Sequence, residues 1–213
     1  MRAPRLLWPT EVDQPRAVVL ILHGGKSRSR RHVRPWQGAV LRMRPFAGAV
    51  AEAGEGLISV ASIRYAVRGW NGDQASPLAD TRLALEQIAA RHPGVPIGLL
   101  GHSMGGRVAL HLADDERVTA IAALAPWVEP HDRARSHRGL SVLFMHGTLD
   151  RMTSPRASRT IANAMAELGA DVTYESVQGE SHAMLRQAGR WHRESAAFLA
   201  GHLLAEPCRP VAP

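Results

Sequence analysis

The stretch GLLGHSMGGRVAL, residues 98–110, decides the fold class of this chain. It contains the pattern G-x-S-x-G, in which Gly101 and Gly105 flank Ser103 at two positions on either side. A short apolar run precedes the pattern, and a segment with helical spacing follows it. In a strained turn between a strand and a helix, a serine hydroxyl is raised above the sheet, and only small residues fit beside it. The pattern therefore predicts a nucleophile at Ser103 on a nucleophile elbow that also includes His102.

Apolar runs alternate with segments of helical spacing along the whole chain, which is typical of parallel βαβ units. The predicted strands are Val18–Leu22, Leu57–Ile63, residues 96–101, Val118–Leu124, residues 140–147 and Val172–Val177. The predicted helices are Met43–Ala53, Ala79–Arg91, Gly105–Ala113, Arg156–Leu168 and Arg186–Leu204. Almost wholly apolar strands favour a sheet that helices cover on both faces. We therefore expect an α/β fold with a doubly wound, mostly parallel sheet of about six strands.

Length and composition predict one domain over residues 1–213, with peripheral tails at 1–16 and 206–213. The single cysteine, Cys208, allows no disulfide within the chain and favours a reducing compartment. No stretch has the length and apolarity of a signal sequence or a membrane span. We therefore expect a cytoplasmic protein that has no membrane partner.

The net charge of +7 comes almost entirely from arginine, because Lys26 is the only lysine. The arginines are scattered, apart from one cluster at Lys26–Arg34, and no aromatic residues interleave a basic stripe. This pattern argues against a nucleic-acid-binding protein. The histidines show no spacing typical of a metal site, so neither a metal nor a cofactor is expected.

A serine nucleophile needs a general base and an acid that orients the base. Asp150 follows a predicted strand in LFMHGTLDRMTS, and His182 lies in a loop after the last predicted strand, in VQGESHAML. The order serine, aspartate, histidine is the one that this elbow architecture uses. The sequence leaves other candidates open, which are Glu129 or Asp132 for the acid and His192 for the base.

These motifs resemble those of the α/β-hydrolases, over Ala17–Leu204. The chain is most similar to the small lidless hydrolases of the dienelactone-hydrolase and carboxylesterase type. The resemblance implies that Ser103 is the nucleophile, Asp150 the acid and His182 the base. Dienelactone hydrolases have cysteine at the elbow, so the serine in this chain points to ester substrates.

The stretch VVLILHGGKS, residues 18–27, has two possible interpretations. A Walker phosphate loop needs glycine at position 20, where this chain has Leu20 inside a predicted strand. Two glycines after the first central strand instead resemble the oxyanion loop of the hydrolases. The resemblance implies backbone N–H donors at Gly25 or Lys26 and at Met104, the residue after the nucleophile.

The remaining candidates concern the substrate pocket. Residues 126–139, where lipases usually insert a helical lid, are too few for a lid. Loops at strand ends carry Trp70, Trp127, Leu149 and Met184, which we expect to line a pocket for a short acyl chain. His23, His102 and His146 are interpreted as histidines that hold the local structure.

The sequence thus predicts a serine hydrolase that cleaves small-molecule esters of short acyl chains through an acyl-enzyme. A thioesterase or an acyltransferase with the same triad is the first alternative. A non-catalytic binding protein that keeps the fold is the second.

Overall fold

The computed structural model describes residues 3–205, and its centre is a single seven-stranded sheet. The strands are β1 (Arg5–Thr10), β2 (Ala17–Leu22), β3 (Ile58–Arg64), β4 (Ile97–His102), β5 (Val118–Leu124), β6 (Ser141–Gly147) and β7 (Asp171–Val177). They lie in the order β1-β3-β2-β4-β5-β6-β7, and every pair is parallel except β1 and β3. The predicted doubly wound, mostly parallel sheet is confirmed.

Six α-helices lie between or after the strands in the described part of the chain. They are α1 (Gly38–Leu41), α2 (Arg44–Ala53), α3 (Ser76–Arg91), α4 (Met104–His111), α5 (Pro155–Glu167) and α6 (Ala188–Leu204). Apolar side chains of α3, α4 and α5 form the core on one face of the sheet, and those of α2 and α6 form the core on the other. Both faces are therefore covered, which explains why β2 is buried at all six residues.

The register brings the predicted motifs to one edge of the sheet. Leu22 at the end of β2 lies beside Gly101 of β4, and His102 lies beside Leu124 of β5. Because the strands are parallel, the loops after β2, β4, β6 and β7 all leave from their carboxyl ends. Ligand sites of open α/β sheets lie at this edge.

The strand count differs from the expected six because Arg5–Thr10 forms an additional strand at the sheet edge. This strand lies within residues 1–16, for which a peripheral tail is predicted. Arg5 pairs with Arg64 of β3 in antiparallel register, and Pro9 is tolerated because an edge strand needs fewer backbone donors. Alternate burial along this strand gives a weaker sequence signal than the continuous apolar runs of the central strands. The other predicted tail, 206–213, lies outside the described residues.

Two further observations apply to residues 3–205. None of their helices combines the length and the apolar character that crossing a bilayer requires. Their histidine, cysteine and acidic side chains form no group of three or more that could hold a metal ion.

Candidate functional site

The turn between β4 and α4 holds Ser103 in a conformation that few residues adopt. Its backbone angles are φ 56° and ψ −115°. The N–H of Ser103 donates to the carbonyl oxygen of Leu124 at 3.0 Å, and its own carbonyl accepts from the N–H of Trp127 at 3.1 Å. Hydrogen bonds to both backbone groups of Ser103 thus hold it in this strained conformation. A strained serine between a strand and a helix is what a nucleophile elbow requires.

The two glycines of the motif are required by close backbone contacts. A Cβ at Gly101 would collide with the backbone of Gly105, and a Cβ at Gly105 would collide with the carbonyl of Leu22. Both positions therefore exclude any side chain. The reason anticipated from the sequence, crowding around the elbow, is confirmed at the level of individual atoms.

Asp150 and His182 form the hydrogen-bonded pair predicted from their order in the chain. The Nδ1–H of His182 donates to Oδ2 of Asp150 at 2.8 Å. Oδ1 of Asp150 accepts from the N–H groups of Met152 at 2.8 Å and Thr153 at 3.0 Å. Burial alone would raise the pKa of the Asp150 carboxyl, but hydrogen bonds from His146, His182 and Thr153 hold that pKa well below its usual range. The group is therefore an anion that orients His182.

His146 contacts the same carboxylate oxygen of Asp150 as His182 does. Its Nε2 is 3.2 Å from Oδ2 of Asp150, and its Nδ1 is 2.8 Å from the hydroxyl of Ser158. The hydroxyl of Tyr174 lies 3.0 Å from that of Ser158. His146 thus does more than hold a loop, because it contacts the carboxylate that is hydrogen-bonded to His182.

Three side chains fix the loop that carries His182. Glu180 is completely buried, and its two carboxylate oxygens accept from the N–H groups of Ser181 and Gln187, each at 2.8 Å. The guanidinium of Arg42, between α1 and α2, donates to the carbonyl of Ala183.

His102 is the third of these side chains. Its Nε2 lies 3.1 Å from the carbonyl oxygen of His182, and the two rings are 4.7 Å apart. His102 therefore connects the elbow to the base directly. Within residues 3–205, neither the Ser103 hydroxyl nor Nε2 of His182 has a hydrogen-bond partner, so both are free to act on a bound molecule.

The loop after β2 lies against the elbow. A Cβ at Gly24 would be 3.5 Å from Cβ of Ser103, and Gly25 packs against the side chain of Met104. His23 donates its Nδ1–H to the carbonyl of Gly24 at 2.7 Å and accepts from the N–H of Tyr65 at 3.4 Å. Because C=O and N–H of one trans peptide point in opposite directions, His23 also sets the direction of the Gly25 N–H.

The prediction that the Lys26 N–H is a candidate oxyanion donor is wrong, because this N–H already has a partner. This N–H donates to the carbonyl of Arg68 at 2.9 Å, in a short parallel bridge between Lys26 and Gly69. Gly25 and Met104 remain as candidates, since neither N–H donates to a group in the described part of the chain. The bridge was not visible in the sequence because residues 65–70 follow no strand pattern.

A cavity of about 560 Å³, which we call the tryptophan cavity, adjoins the elbow through Trp127, whose backbone N–H donates to the Ser103 carbonyl. Ser103 and His182 themselves do not line it. Among its lining residues are Trp70, Trp127, Arg28 and Arg107. The guanidinium of Arg107 lies between the two indoles, 4.1 Å from the ring centre of Trp70 and 4.6 Å from that of Trp127. Trp70 and Trp127 thus line one cavity, and their role in binding an acyl chain stays a prediction.

Leu149 and Met184, the other two pocket candidates, do not line the tryptophan cavity. Leu149 is 52% exposed on the loop after β6. Met184 is only 3% exposed and packs in the core that α2 and α6 cover. Met184 is therefore a core residue, because the turn after His182 directs it inward.

The alternative acid and base candidates have other partners. Asp132 accepts from Arg107 at 2.7 Å and from His111 at 2.9 Å, and its Oδ2 accepts from the N–H of Glu129. His192 lies on α6 and packs edge-on against Phe46. Of the three acid candidates, Asp150 is the one whose carboxylate is hydrogen-bonded to His182 among the described residues.

Three residues that organise this part of the structure were not predicted from the sequence: Glu180, Arg42 and Arg107. A glutamate two positions before the base was the available signal for Glu180. The other two are arginines in a chain with many, and only the fold distinguishes them.

Comparison with protein families gives two matches. The family described as "Serine aminopeptidase, S33" matches residues 13–141, and "Alpha/beta hydrolase family" matches residues 79–205. No curated protein matches the sequence.

Solved structures share the fold at low sequence identity. A putative alpha/beta hydrolase from Agrobacterium tumefaciens has a TM-score of 0.72 and 16% identity, over 96% of this chain and 94% of that one. An alpha/beta serine hydrolase without a lid from Xanthomonas campestris has a TM-score of 0.61 and 18% identity, over 96% and 90%. A monoacylglycerol lipase from Paleococcus ferrophilus has a TM-score of 0.67 and 14% identity, over 93% and 99%. Together with the matches over more than half its length, these findings show that the chain belongs to the alpha/beta hydrolase family.

Proposed function

We propose that the protein is a serine hydrolase that cleaves carboxylic esters of short acyl chains through an acyl-enzyme on Ser103. The observation that carries the proposal is a strained elbow serine whose neighbour His102 contacts His182, the histidine that is hydrogen-bonded to the buried Asp150. This arrangement has the roles of a catalytic triad. Names of structural neighbours, among them an esterase and a monoacylglycerol lipase, agree with a hydrolase of esters.

In the proposed first step, Oγ of Ser103 attacks the ester carbonyl carbon while Nε2 of His182 takes the hydroxyl proton. The N–H groups of Gly25 and Met104 donate to the oxygen that becomes negative, and each such donor contributes about 10²–10³ in rate. The C–O bond of the ester then breaks, and the leaving alcohol takes the proton from His182. Water repeats the sequence on the acyl-enzyme and releases the acid.

The anionic state of Asp150 supports this use of His182. A carboxylate accepting from Nδ1–H keeps the proton there and leaves Nε2 as the basic nitrogen. It also stabilises the positive imidazolium formed during the attack. His23 contributes by holding the Gly24 carbonyl, which fixes the direction of the adjoining Gly25 N–H.

The short acyl preference follows from the walls of the tryptophan cavity. No helix lies between Ala125 and Leu140 in the structure, so no helical lid covers the elbow. The cavity is lined by two large rigid rings and several charged side chains rather than by a long apolar groove. Such walls favour small substrates.

Labelling with a fluorophosphonate probe tests the nucleophile. The wild-type protein is expected to gain one covalent adduct at Ser103, measured by intact mass and peptide mapping. Ser103→Ala is expected to lose the adduct and to lower kcat on p-nitrophenyl acetate by up to about 10⁶. Ser195→Ala is the matched control, because that hydroxyl is buried in α6 and donates to the carbonyl of Trp191. Labelling that survives in Ser103→Ala would contradict the proposal.

Parallel assays of matched oxygen esters and thioesters, with and without an alcohol acceptor, test the reaction class. Hydrolysis of the oxygen ester with water as acceptor is expected to dominate. Faster turnover of the thioester, or transfer of the acyl group to the alcohol, would instead identify a thioesterase or an acyltransferase.

A further inference from the structure

A second cavity, of about 520 Å³, lies between the β1–β3 edge of the sheet and the α1–α2 segment. We call it the edge cavity. Its walls are mainly apolar, with a floor from three strands and a roof from the α1–α2 segment. They include Leu7, Ile21, Ser62, Val40, Met43 and Ala47. Its volume falls within the range of sites that bind small molecules.

The edge cavity is separate from the proposed catalytic residues. Ser103, Asp150 and His182 do not line it, and neither do Trp70 and Trp127. The cavity lies at β1, the edge strand of the sheet, which α2 does not fully cover. Leu7 on β1 therefore remains 44% exposed. An open apolar depression of this kind is unusual on a surface that has no partner.

The charges at the edge cavity have one sign. Arg44 and Arg64 line it, and no aspartate or glutamate does. Neither guanidinium forms an ion pair with any acid between residues 3 and 205. His23 also lines it, but both of its ring nitrogens are used by Gly24 and Tyr65, and burial lowers its pKa to about 4. The free cationic groups are therefore the two arginines.

We propose that the edge cavity binds a single-chain amphipathic carboxylate, a medium-chain fatty acid. The alkyl chain occupies the apolar space between Leu7 and Met43, and the carboxylate pairs with Arg64 and Arg44. Arginine suits this head group because its planar guanidinium can donate two parallel hydrogen bonds to a carboxylate. The proposal does not rest on the ester hydrolase activity, since it places the ligand away from Ser103.

Calorimetric titration with hexanoate, octanoate and decanoate, below their micelle concentrations, tests the class of ligand. The affinity is expected to rise about fourfold for each added CH₂ that is buried. Decanoate is expected to bind on the order of tenfold more tightly than decanol, because its charge is paired. Equal affinities for decanoate, decanol and decylamine would overturn the assignment of the head group.

Variants locate the binding. Ser62→Phe fills the edge cavity and Arg64→Gln removes one cation without altering the core, and each is expected to weaken decanoate binding at least tenfold. Arg82→Gln removes the same charge from the exposed side of α3, on the opposite face of the sheet, and is expected to leave binding unchanged. If Ser62→Phe does not fold, Arg64→Gln and Arg82→Gln still provide the comparison.

Methyl NMR gives an independent readout. With ¹³C-methyl methionine, decanoate is expected to shift the resonance of Met43, which lines the edge cavity, and to leave that of Met165 in the opposite core unchanged. Weakened binding in Trp127→Ala but not in Arg64→Gln would place the ligand in the tryptophan cavity and overturn the proposal. Because no step is enzymatic, the outcome is independent of the experiment on Ser103.

Discussion

Nε2 of His102 lies 3.1 Å from the carbonyl oxygen of His182. A carbonyl can only accept, so Nε2 carries a proton and donates. Burial, followed by the nearby His182, lowers the pKa of His102 to about 3, so its ring is neutral and Nδ1 is unprotonated. Nδ1 has no partner among the described residues. His102 therefore has one tautomer and one donor, which holds the backbone of the base.

This relationship predicts that His102→Ala lowers kcat by about tenfold, the value of one neutral hydrogen bond, with little change in KM. The base would lose a support without any change in the substrate-binding walls. His102→Gln keeps an amide donor and is expected to recover part of the rate. Steady-state kinetics on p-nitrophenyl acetate measure both. Equal rates for the alanine and glutamine variants would argue that the side chain only fills space.

Glu180→Gln tests the loop of His182 from its other end. Both carboxylate oxygens accept N–H groups, whereas a glutamine would direct its NH₂ at one of those donors. We expect a loss of about 1–3 kcal/mol in the free energy of unfolding, because one buried N–H loses its acceptor. We also expect a lower kcat, because the loop positions His182. Glu167→Gln, on an exposed face at the end of α5, should change neither urea unfolding nor turnover.

Local patterns made the central part of the fold predictable. The strands β2, β4, β5 and β6 are almost wholly apolar runs. The elbow between Ile97 and His111 is a sequence motif whose glycines are required by close backbone contacts. β1 was not predicted because its apolar run covers only Leu6–Trp8 before Pro9, and its residues alternate between exposed and half-buried. The positions of Asp150 and His182 in the chain also sufficed to predict that these two residues are hydrogen-bonded.

Long-range backbone contacts were not predictable in the same way. The bond from the Lys26 N–H to Arg68 joins segments more than forty residues apart and has no residue pattern. The inward turn of Met184, with φ 56°, depends on the geometry after His182 rather than on side-chain type. Arg107 is one of many arginines, and only its position between two indoles reveals its role.

Buried histidines predict how stability changes with pH. Burial lowers the pKa of His23 to about 4 and that of His102 to about 3, whereas the unfolded chain binds these protons near pH 6.5. The unfolded state therefore takes up protons first as the pH falls. The free energy of unfolding should decrease below pH ~6.5, by up to ~1.4 kcal/mol per pH unit for each histidine.

Urea unfolding at pH 7, 6 and 5 measures this dependence. Replacing either histidine with glutamine should make the slope of stability against pH shallower, whatever the variant costs at pH 7. An identical slope in both variants and the wild type would mean that other groups control acid unfolding.

The buried ion pair between Asp132 and Arg107 is predicted to contribute strongly to the free energy of unfolding. Their side chains are 7% and 3% exposed, and the nearest atoms are 2.7 Å apart. Asp132→Asn leaves the Arg107 charge buried without its counter-ion, so we expect about 3 kcal/mol less free energy of unfolding. Asp114→Asn breaks an equally short but exposed pair with Arg135 and should cost less than about 1 kcal/mol.

The contribution of the Asp132–Arg107 pair to the free energy of unfolding should be lost only at strongly acidic pH. Although burial raises the pKa of Asp132, hydrogen bonds from His111 and Arg107 lower it to about 2. Because the folded value lies below the unfolded value of about 3.9, the contribution is present above pH ~4 and disappears as the pH falls through 2. The stability difference between wild type and Asp132→Asn should therefore shrink only below pH ~4. A difference that already vanishes at pH 6 would show that the Asp132 charge is not its source.

The last prediction concerns acyl chain length and follows from the walls of the tryptophan cavity. Trp70 and Trp127 are held against Arg107, so they form rigid walls of this cavity, and the backbone N–H of Trp127 donates to the Ser103 carbonyl. Each methylene buried in an apolar groove would add ~0.8 kcal/mol, and a long groove would make kcat/KM rise steadily with chain length. With charged residues such as Arg28 beyond the rings, we expect kcat/KM on p-nitrophenyl esters to peak at about two to six carbons. Trp127→Ala should move the peak to longer chains, and no rise in rate is expected above the solubility limit of the substrate. A steady increase through twelve carbons in the wild type would show that the acyl chain lies elsewhere.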